Sequence, residues 1–214
     1  MGNKQQQNRR KKTKAWLKQH VNDEYVQLSR REGYRSRAVY KLKEIDERDK
    51  LLKPGLNVVE LGAAPGGWSQ YAREKLAAED SLLAMDILPM DPVAGVHFIQ
   101  GDFTEDAVLK QLLVALAGQP VDLVISDMAP NITGIAPSDQ ARSVYLAELA
   151  LDFADRVLRP GGQFLTKTFQ GEGFPELRQE MMRRFKTVIS RKPKASRPQS
   201  REIYLLGRDF RGAE

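Results

Sequence analysis

The sequence predicts an α/β fold: a mostly parallel seven-stranded sheet, helices on both faces, and an antiparallel last strand. Three observations carry this. Short apolar runs alternate with stretches of helical spacing, the pattern of βαβ units around a parallel sheet. One run, Val58–Leu61, opens through Gly62-Ala63-Ala64-Pro65-Gly66-Gly67 into a helical pattern. Such a strand–loop–helix unit holds nucleotide-like ligands at the carboxyl edge of a parallel sheet, its glycines letting backbone pass where a Cβ would push a ligand away. The last two apolar runs leave no room for a crossover helix between them, so they pair antiparallel.

Residues 1–14 are polar, basic and aperiodic, which predicts a disordered tail ahead of one domain over 15–210. Trp16 and Leu17 begin a short helix. Tyr25–Lys50 reads as helical, with Ala38, Val39, Leu42 and Ile45 on one face and Ser36 as a cap for the part carrying Arg37 and Lys41. A Lys53-Pro54-Gly55 turn leads into the first strand, and Trp68–Leu76 follows the glycine loop as a helix. Ser81–Ile87 and His97–Asp102 are strands that bring aspartates, Asp86 and Asp102, to their ends. Thr104–Leu116 is a helix and Val121–Asp127 a strand. Ser138–Leu158 is a long amphipathic helix closed by Pro160-Gly161-Gly162. Gln163–Phe169 is a strand carrying Lys167, and Gly173–Phe185 is helical. Thr187–Ser190 and Glu202–Leu206 close the sheet, joined by a basic linker over 191–201.

Composition narrows the chemistry. The chain has no cysteine, so disulfides, thiolate metal sites and cysteine nucleophiles are excluded, and a reducing cytoplasm is the expected home. Only His20 and His97 are available for an imidazole-based site, and no metal-ligand cluster is visible. No apolar run approaches the ~18 residues a membrane span needs, and the N-terminus has no apolar signal region. Gln6 breaks the myristoylation pattern that Met1-Gly2 would start. Residues 1–20 hold seven Lys/Arg and residues 183–201 eight, neither with an acid; the other 19 basic residues face 28 acids, a balance of −9. Basic charge so concentrated is a phosphate-binding footprint.

The loop is not a dinucleotide fingerprint, because Ala64 stands where G-x-G-x-x-G has its second glycine. The Lys-Ser/Thr of a P-loop is missing too. An adenosine ligand without phosphates fits better, and S-adenosylmethionine is the candidate. The predicted contacts are Gly62, Ala63, Pro65, Gly66, Gly67, Trp68, Asp86, Ile87, Asp102, Phe103 and Asp127, with the amino-acid end over the glycines, Asp86 at the ribose hydroxyls and Asp102 at the adenine amino group.

Seven segments in order also resemble the FtsJ/RlmE family of bacterial ribosomal RNA 2′-O-ribose methyltransferases. They are RSRAVYKL from Arg35, LGAAPGGWSQY from Leu61, MDILPMDP from Met85, QGDF from Gln100, SDMAPN from Ser126, KTFQGEG from Lys167 and SREIYLL from Ser200. The likeness runs from about Trp16 to the last strand; Glu60 departs from it, since many members carry Asp there. It implies a Rossmann-like methyltransferase fold and a Lys–Asp–Lys–Glu set at Lys41, Asp127, Lys167 and Glu202. It also implies methylation of a uridine in 23S ribosomal RNA within an assembling large subunit, with S-adenosylhomocysteine as product, no metal, and action as a monomer.

Strand ends put Asp127, Lys167 and Glu202 on one sheet edge, which agrees with that set. Displacement at a sulfonium carbon mainly needs the hydroxyl aligned and its proton helped away. Lys167 is the residue expected on the attacking oxygen, as neutral base or as stabilising cation. Phosphate contacts are assigned to Arg35, Arg37, Lys41, Arg191, Lys192, Lys194, Arg197 and Arg201. Tyr34, Phe169 and Tyr204 are either stacking residues or packing. Another RNA substrate, such as transfer RNA or a cap, or a weakly catalytic ribosome-assembly factor, are the alternatives.

Overall fold

A computed structural model describes residues 23–197 and 199–212. The basic tail and the helix start at Trp16 lie outside that range. The elements are α1 (Glu24–Glu32), α2 (Val39–Asp49), β1 (Val58–Leu61), α3 (Gly67–Lys75), β2 (Leu82–Asp86), β3 (His97–Gln100), α4 (Asp106–Leu116), β4 (Val121–Ser126), α5 (Ala136–Val157), β5 (Leu158–Phe169), α6 (Phe174–Arg184), β6 (Phe185–Arg191) and β7 (Glu202–Phe210).

The seven strands lie in the order β3-β2-β1-β4-β5-β7-β6. β1 pairs parallel with β2 and β4, β2 with β3, and β4 with β5; β7 runs antiparallel to both β5 and β6. The order reverses between β1 and β4, which opens a crevice at the carboxyl ends of the strands.

Alternation along each strand builds two cores. Val59, Leu61, Leu83, Met85, Val124 and Phe164 pack with α4, α5 and α6 on one face. Val58, Leu82, Leu123, Ile125, Leu165 and Tyr204 pack with α2 and α3 on the other. Successive side chains of a strand point to opposite faces, so this parity fixes the side on which each strand-end residue emerges. Asp127 shares the parity of Ile125, Lys167 that of Leu165, and Glu202 that of Tyr204. All three therefore emerge toward α2.

Three local expectations are corrected. The stretch Tyr25–Lys50 is two helices, because Gly33 (φ 79°) caps α1 in the left-handed region and residues 34–38 cross over the glycine loop. Ser36 does not cap α2: the cap position is Ala38, with no side-chain bond, and Ser36 instead lies against Gly67. The turn at Pro160-Gly161-Gly162 is a bulge inside β5, which starts directly after α5 and slips register against β4 between Val121 and Leu123.

Candidate active site

β5 and β7 pair Lys167 directly opposite Tyr204, and Phe169 opposite Glu202. Facing residues of an antiparallel pair, and their diagonal neighbours on the same face, are within reach of one another. β4 pairs Ser126 with Thr166, so Asp127 arrives one residue later beside Lys167. Lys167 Nζ donates to Asp127 Oδ1 at 3.0 Å and to the Asp127 carbonyl, and Tyr204 Oη donates to the same Oδ1 at 2.6 Å. Lys41, in the first turn of α2, reaches across the top of the sheet to Glu202 Oε2 at 2.8 Å, while Ser196 Oγ donates to Oε1 at 2.8 Å. The ionic side chains are largely covered, at 6% and 16% exposure for Lys167 and Asp127 and 15% and 11% for Lys41 and Glu202.

Burial pushes the Asp127 carboxyl up, but the Lys167 and Lys41 cations and the Tyr204 hydroxyl outweigh it, so it sits below its ordinary range and is ionised. Burial, then the Asp127 and Glu202 charges, hold the Tyr204 hydroxyl far above its ordinary value. It remains a proton donor to Asp127 at any working pH.

Beside this set a cleft of about 650 Å³ opens at the carboxyl ends of β1 to β5, within the ~300–1,000 Å³ usual for ligand pockets. Gly62, Asp86, Ile87, Asp102, Phe103, Asp127 and Lys167 line it, as expected from the sequence. So do Met128, Asn131, Arg142 and Tyr145, which were not singled out. Asp86 accepts from the Ala64 and Leu88 amides at 2.9 and 2.8 Å, which points its carboxylate at the cleft mouth. The Thr104 amide and hydroxyl bind Asp102 Oδ1 at 2.9 and 2.7 Å and hold the acid below its ordinary value; its Oδ2 has no hydrogen bond among the described residues.

Ala63, Pro65, Gly66, Gly67 and Trp68 do not border the cleft. Trp68 is buried, donates Nε1 to the Ala38 carbonyl at 2.8 Å and packs on Tyr204 with ring centroids 5.9 Å apart. The loop glycines also make room for neighbouring chain. A Cβ on Gly62 would stand 2.7 Å from the Met128 amide nitrogen, one on Gly66 2.9 Å from Arg35 Nη1, and one on Gly67 2.7 Å from Ser36 Oγ. Their small size lets the 34–38 crossover and the loop after β4 close onto the site.

The basic residues divide. Arg35 is committed to the carbonyls of Pro65, Asp91 and Pro92, clamping the glycine loop to the β2–β3 connection. Arg37 pairs with Asp23 at 2.5 Å and donates to the Ala195 carbonyl. Arg191 makes a two-pronged pair with Asp49, both bonds at 2.7 Å. Lys192 Nζ ties the Ser200 and Glu202 carbonyls together. Lys194 and Arg201 are exposed at their side chains, and Arg197 is half-buried. Arg191 and the Lys194 amide, which donates to Glu44 at 2.7 Å, thus hold the described part of the linker against α2.

Glu60, beneath the loop, is fully buried. Ser69 Oγ donates to its Oε2 at 2.5 Å and its Oε1 has no partner. Burial pushes its carboxyl up to about 8, with Asp127 and Asp86 adding to the effect against the Ser69 hydrogen bond. Among the described residues no group of His, Asp or Glu could hold a metal ion, and no helix is long and apolar enough to cross a membrane.

The family of FtsJ-like methyltransferases matches residues 34–210. The ribosomal RNA large subunit methyltransferase E of Azoarcus sp. (strain BH72) is 64% identical over 203 residues, covering 95% of this chain and 99% of that protein. The Pseudomonas aeruginosa PAO1 protein of the same name is 57% identical over 204 residues, covering 95% and 99%. The crystal structure of a Plasmodium falciparum ribosomal RNA methyltransferase superposes with a TM-score of 0.74 at 30% identity, covering 84% of this chain and 100% of that one.

Proposed function

The chain belongs to the FtsJ-like methyltransferase family, and from that premise we propose that it methylates the 2′-hydroxyl of a uridine in 23S ribosomal RNA. The methyl donor is S-adenosylmethionine, and the substrate is the large subunit during its assembly. The observation that carries this reading is the convergence of Lys41, Asp127, Lys167 and Glu202 on one sheet edge beside a 650 Å³ cleft with an acid at each of two strand ends.

The cleft suits the donor in size and chemistry. Asp86, held by two amides, offers free lone pairs to ribose hydroxyls, and the open Oδ2 of Asp102 suits an exocyclic amine. When bound there, S-adenosylmethionine supplies a methyl group on a sulfonium, already activated for displacement. The chain's own work is to place the acceptor. Lys167, paired with ionised Asp127, orients the 2′-oxygen and steadies the negative charge that develops on it. The hydroxyl proton is shed to water as the new C–O bond forms. Tyr204 fixes Asp127 from the other side, and Glu202 fixes Lys41. No step calls for a metal. We place the protein in the cytoplasm, acting as a monomer on the ribosomal particle.

The test is Lys167→Ala. Methyl transfer to large subunits should fall by about a hundred- to a thousandfold, as when a key electrostatic donor is removed, while donor affinity stays within about threefold. A variant with near wild-type turnover would remove Lys167 from the mechanism.

A further inference from the structure

A second cavity, of about 230 Å³, lies beyond the Lys41–Glu202 pair, and none of its lining residues borders the donor cleft. Arg37, Lys41 and Arg197 wall it, together with Glu202, Ala195 and Ser200. Arg37 is paired with Asp23 outside the lining, so three cations meet two carboxylates, and both oxygens of Glu202 are already engaged, by Lys41 and by Ser196. Arg37 Nε is buried with no partner, and among the described residues the Arg197 guanidinium has neither hydrogen bond nor ion pair. Hydrogen bonds tie the wall to its surroundings. The Ala195 carbonyl sits on Arg37, the Lys194 amide donates to Glu44 at 2.7 Å, and Lys192 Nζ binds the Ser200 carbonyl at 2.7 Å. Cations gathered in a built concavity repel one another until an anion joins them, and the same field draws that anion in.

We propose that this cavity seats a phosphodiester of the RNA strand, the one on the 3′ side of the target ribose. The inference rests on the 2′-O-methylation proposed above. In a nucleotide the 2′-oxygen and the 3′-phosphate occupy adjacent ribose carbons. An acceptor hydroxyl held at Lys167 therefore carries its 3′-phosphate about one sugar's breadth away. Lys41 spans that gap: it lines the cavity, and its charge acts on Asp127 in the catalytic set. The volume corresponds to roughly eight waters at about 30 Å³ each, room for a phosphate group with part of its hydration. Among the described residues a nucleobase would find no aromatic wall to stack on, whereas the Arg197 guanidinium, without a partner there, offers a two-pronged donor to phosphate oxygens. Such a contact sets the register of the strand without reading its sequence.

The experiment compares full-length wild type, Arg197→Gln and, as a charge-matched control, Lys110→Gln at an exposed position of α4. Methyl transfer to large ribosomal subunits is followed across a salt series, and donor affinity is measured alongside. Arg197→Gln should bind the donor as wild type does, raise the KM for subunits about tenfold, and lower the slope of log affinity against log salt by about one. Lys110→Gln should change neither. Because the chain has no cysteine, Arg197→Cys can also carry a single tethered iron chelate, whose cuts should centre just 3′ of the methylated nucleotide. An active wild type with an Arg197→Gln variant unchanged in KM and slope, or cuts confined to the 5′ side, overturns the phosphate seat alone. A wild type that transfers no methyl group overturns the proposed function and this inference with it.

Discussion

Replacing Glu60 by glutamine should make this protein more stable at pH 8 and less stable at pH 5. Glu60 is fully buried under the glycine loop, with Ser69 on one oxygen and no partner on the other. Burial raises its carboxyl from 4.5 to about 8. A group whose folded value lies above its unfolded one contributes stability that is complete below 4.5 and lost as pH rises through about 8. Between those limits the folded chain holds a proton that the unfolded chain has released. Wild-type stability should therefore fall by about 1.4 kcal/mol per pH unit, some 4 kcal/mol over the window.

Asp127, Asp49, Asp102 and Asp139 do not blur this slope. Their folded values lie below their ordinary 3.8, so their contributions are complete above it and are lost only at lower pH. Glutamine keeps the Ser69 bond through its carbonyl but leaves a buried amide unpaired, at about 1–3 kcal/mol. The variant should start less stable than wild type near pH 5 and overtake it before pH 8. Urea unfolding at each half pH unit from 5 to 8.5, with linear extrapolation, measures the difference. A difference between the two proteins that stays flat across that range would refute the reasoning.

Other perturbations test the rest of the site. Tyr204→Phe removes the 2.6 Å bond to Asp127 and should cost about 2 kcal/mol at neutral pH; that penalty should shrink as acid titrates Asp127, and kcat should fall more than KM rises. Equal stability of the two proteins at pH 7 would show the bond to be idle. Gly62→Ala meets both a φ of +81° and the Met128 backbone at 2.7 Å. The backbone strain alone is worth roughly 1–2 kcal/mol, and the displaced loop after β4 should weaken donor binding at least tenfold, read by calorimetry.

Much of this architecture could be read from the chain. The continuous apolar run Leu123-Val124-Ile125 and the Phe164-Leu165 pair announce strands covered on both faces, and the length of those runs places Asp127 and Lys167 at the carboxyl edge. What local pattern could not supply is which neighbour a residue serves. The loop glycines look like a ligand cradle, yet Gly66 and Gly67 make way for Arg35 and Ser36, thirty residues earlier in the chain. Gly33 was an available stop signal inside Tyr25–Lys50, outweighed by the apolar spacing on either side of it. Tyr204 shares a strand face with Glu202, two residues before it, so period-two reasoning alone would have aimed it at the charged set. The basic run after β6 has the composition of a solvated linker; only the fold shows Arg191 on Asp49 and Ala195 on Arg37.

The central claim is 2′-O-methylation of large-subunit RNA, and tritiated S-adenosylmethionine tests it directly. Free 23S RNA, isolated large subunits and transfer RNA are incubated side by side, and labelled RNA is then hydrolysed in alkali. A methyl group on the 2′-oxygen blocks cleavage at its own linkage, so the label should appear in subunits, in a single alkali-resistant dinucleotide. Label confined to transfer RNA, or recovered in alkali-sensitive mononucleotides, would contradict the account.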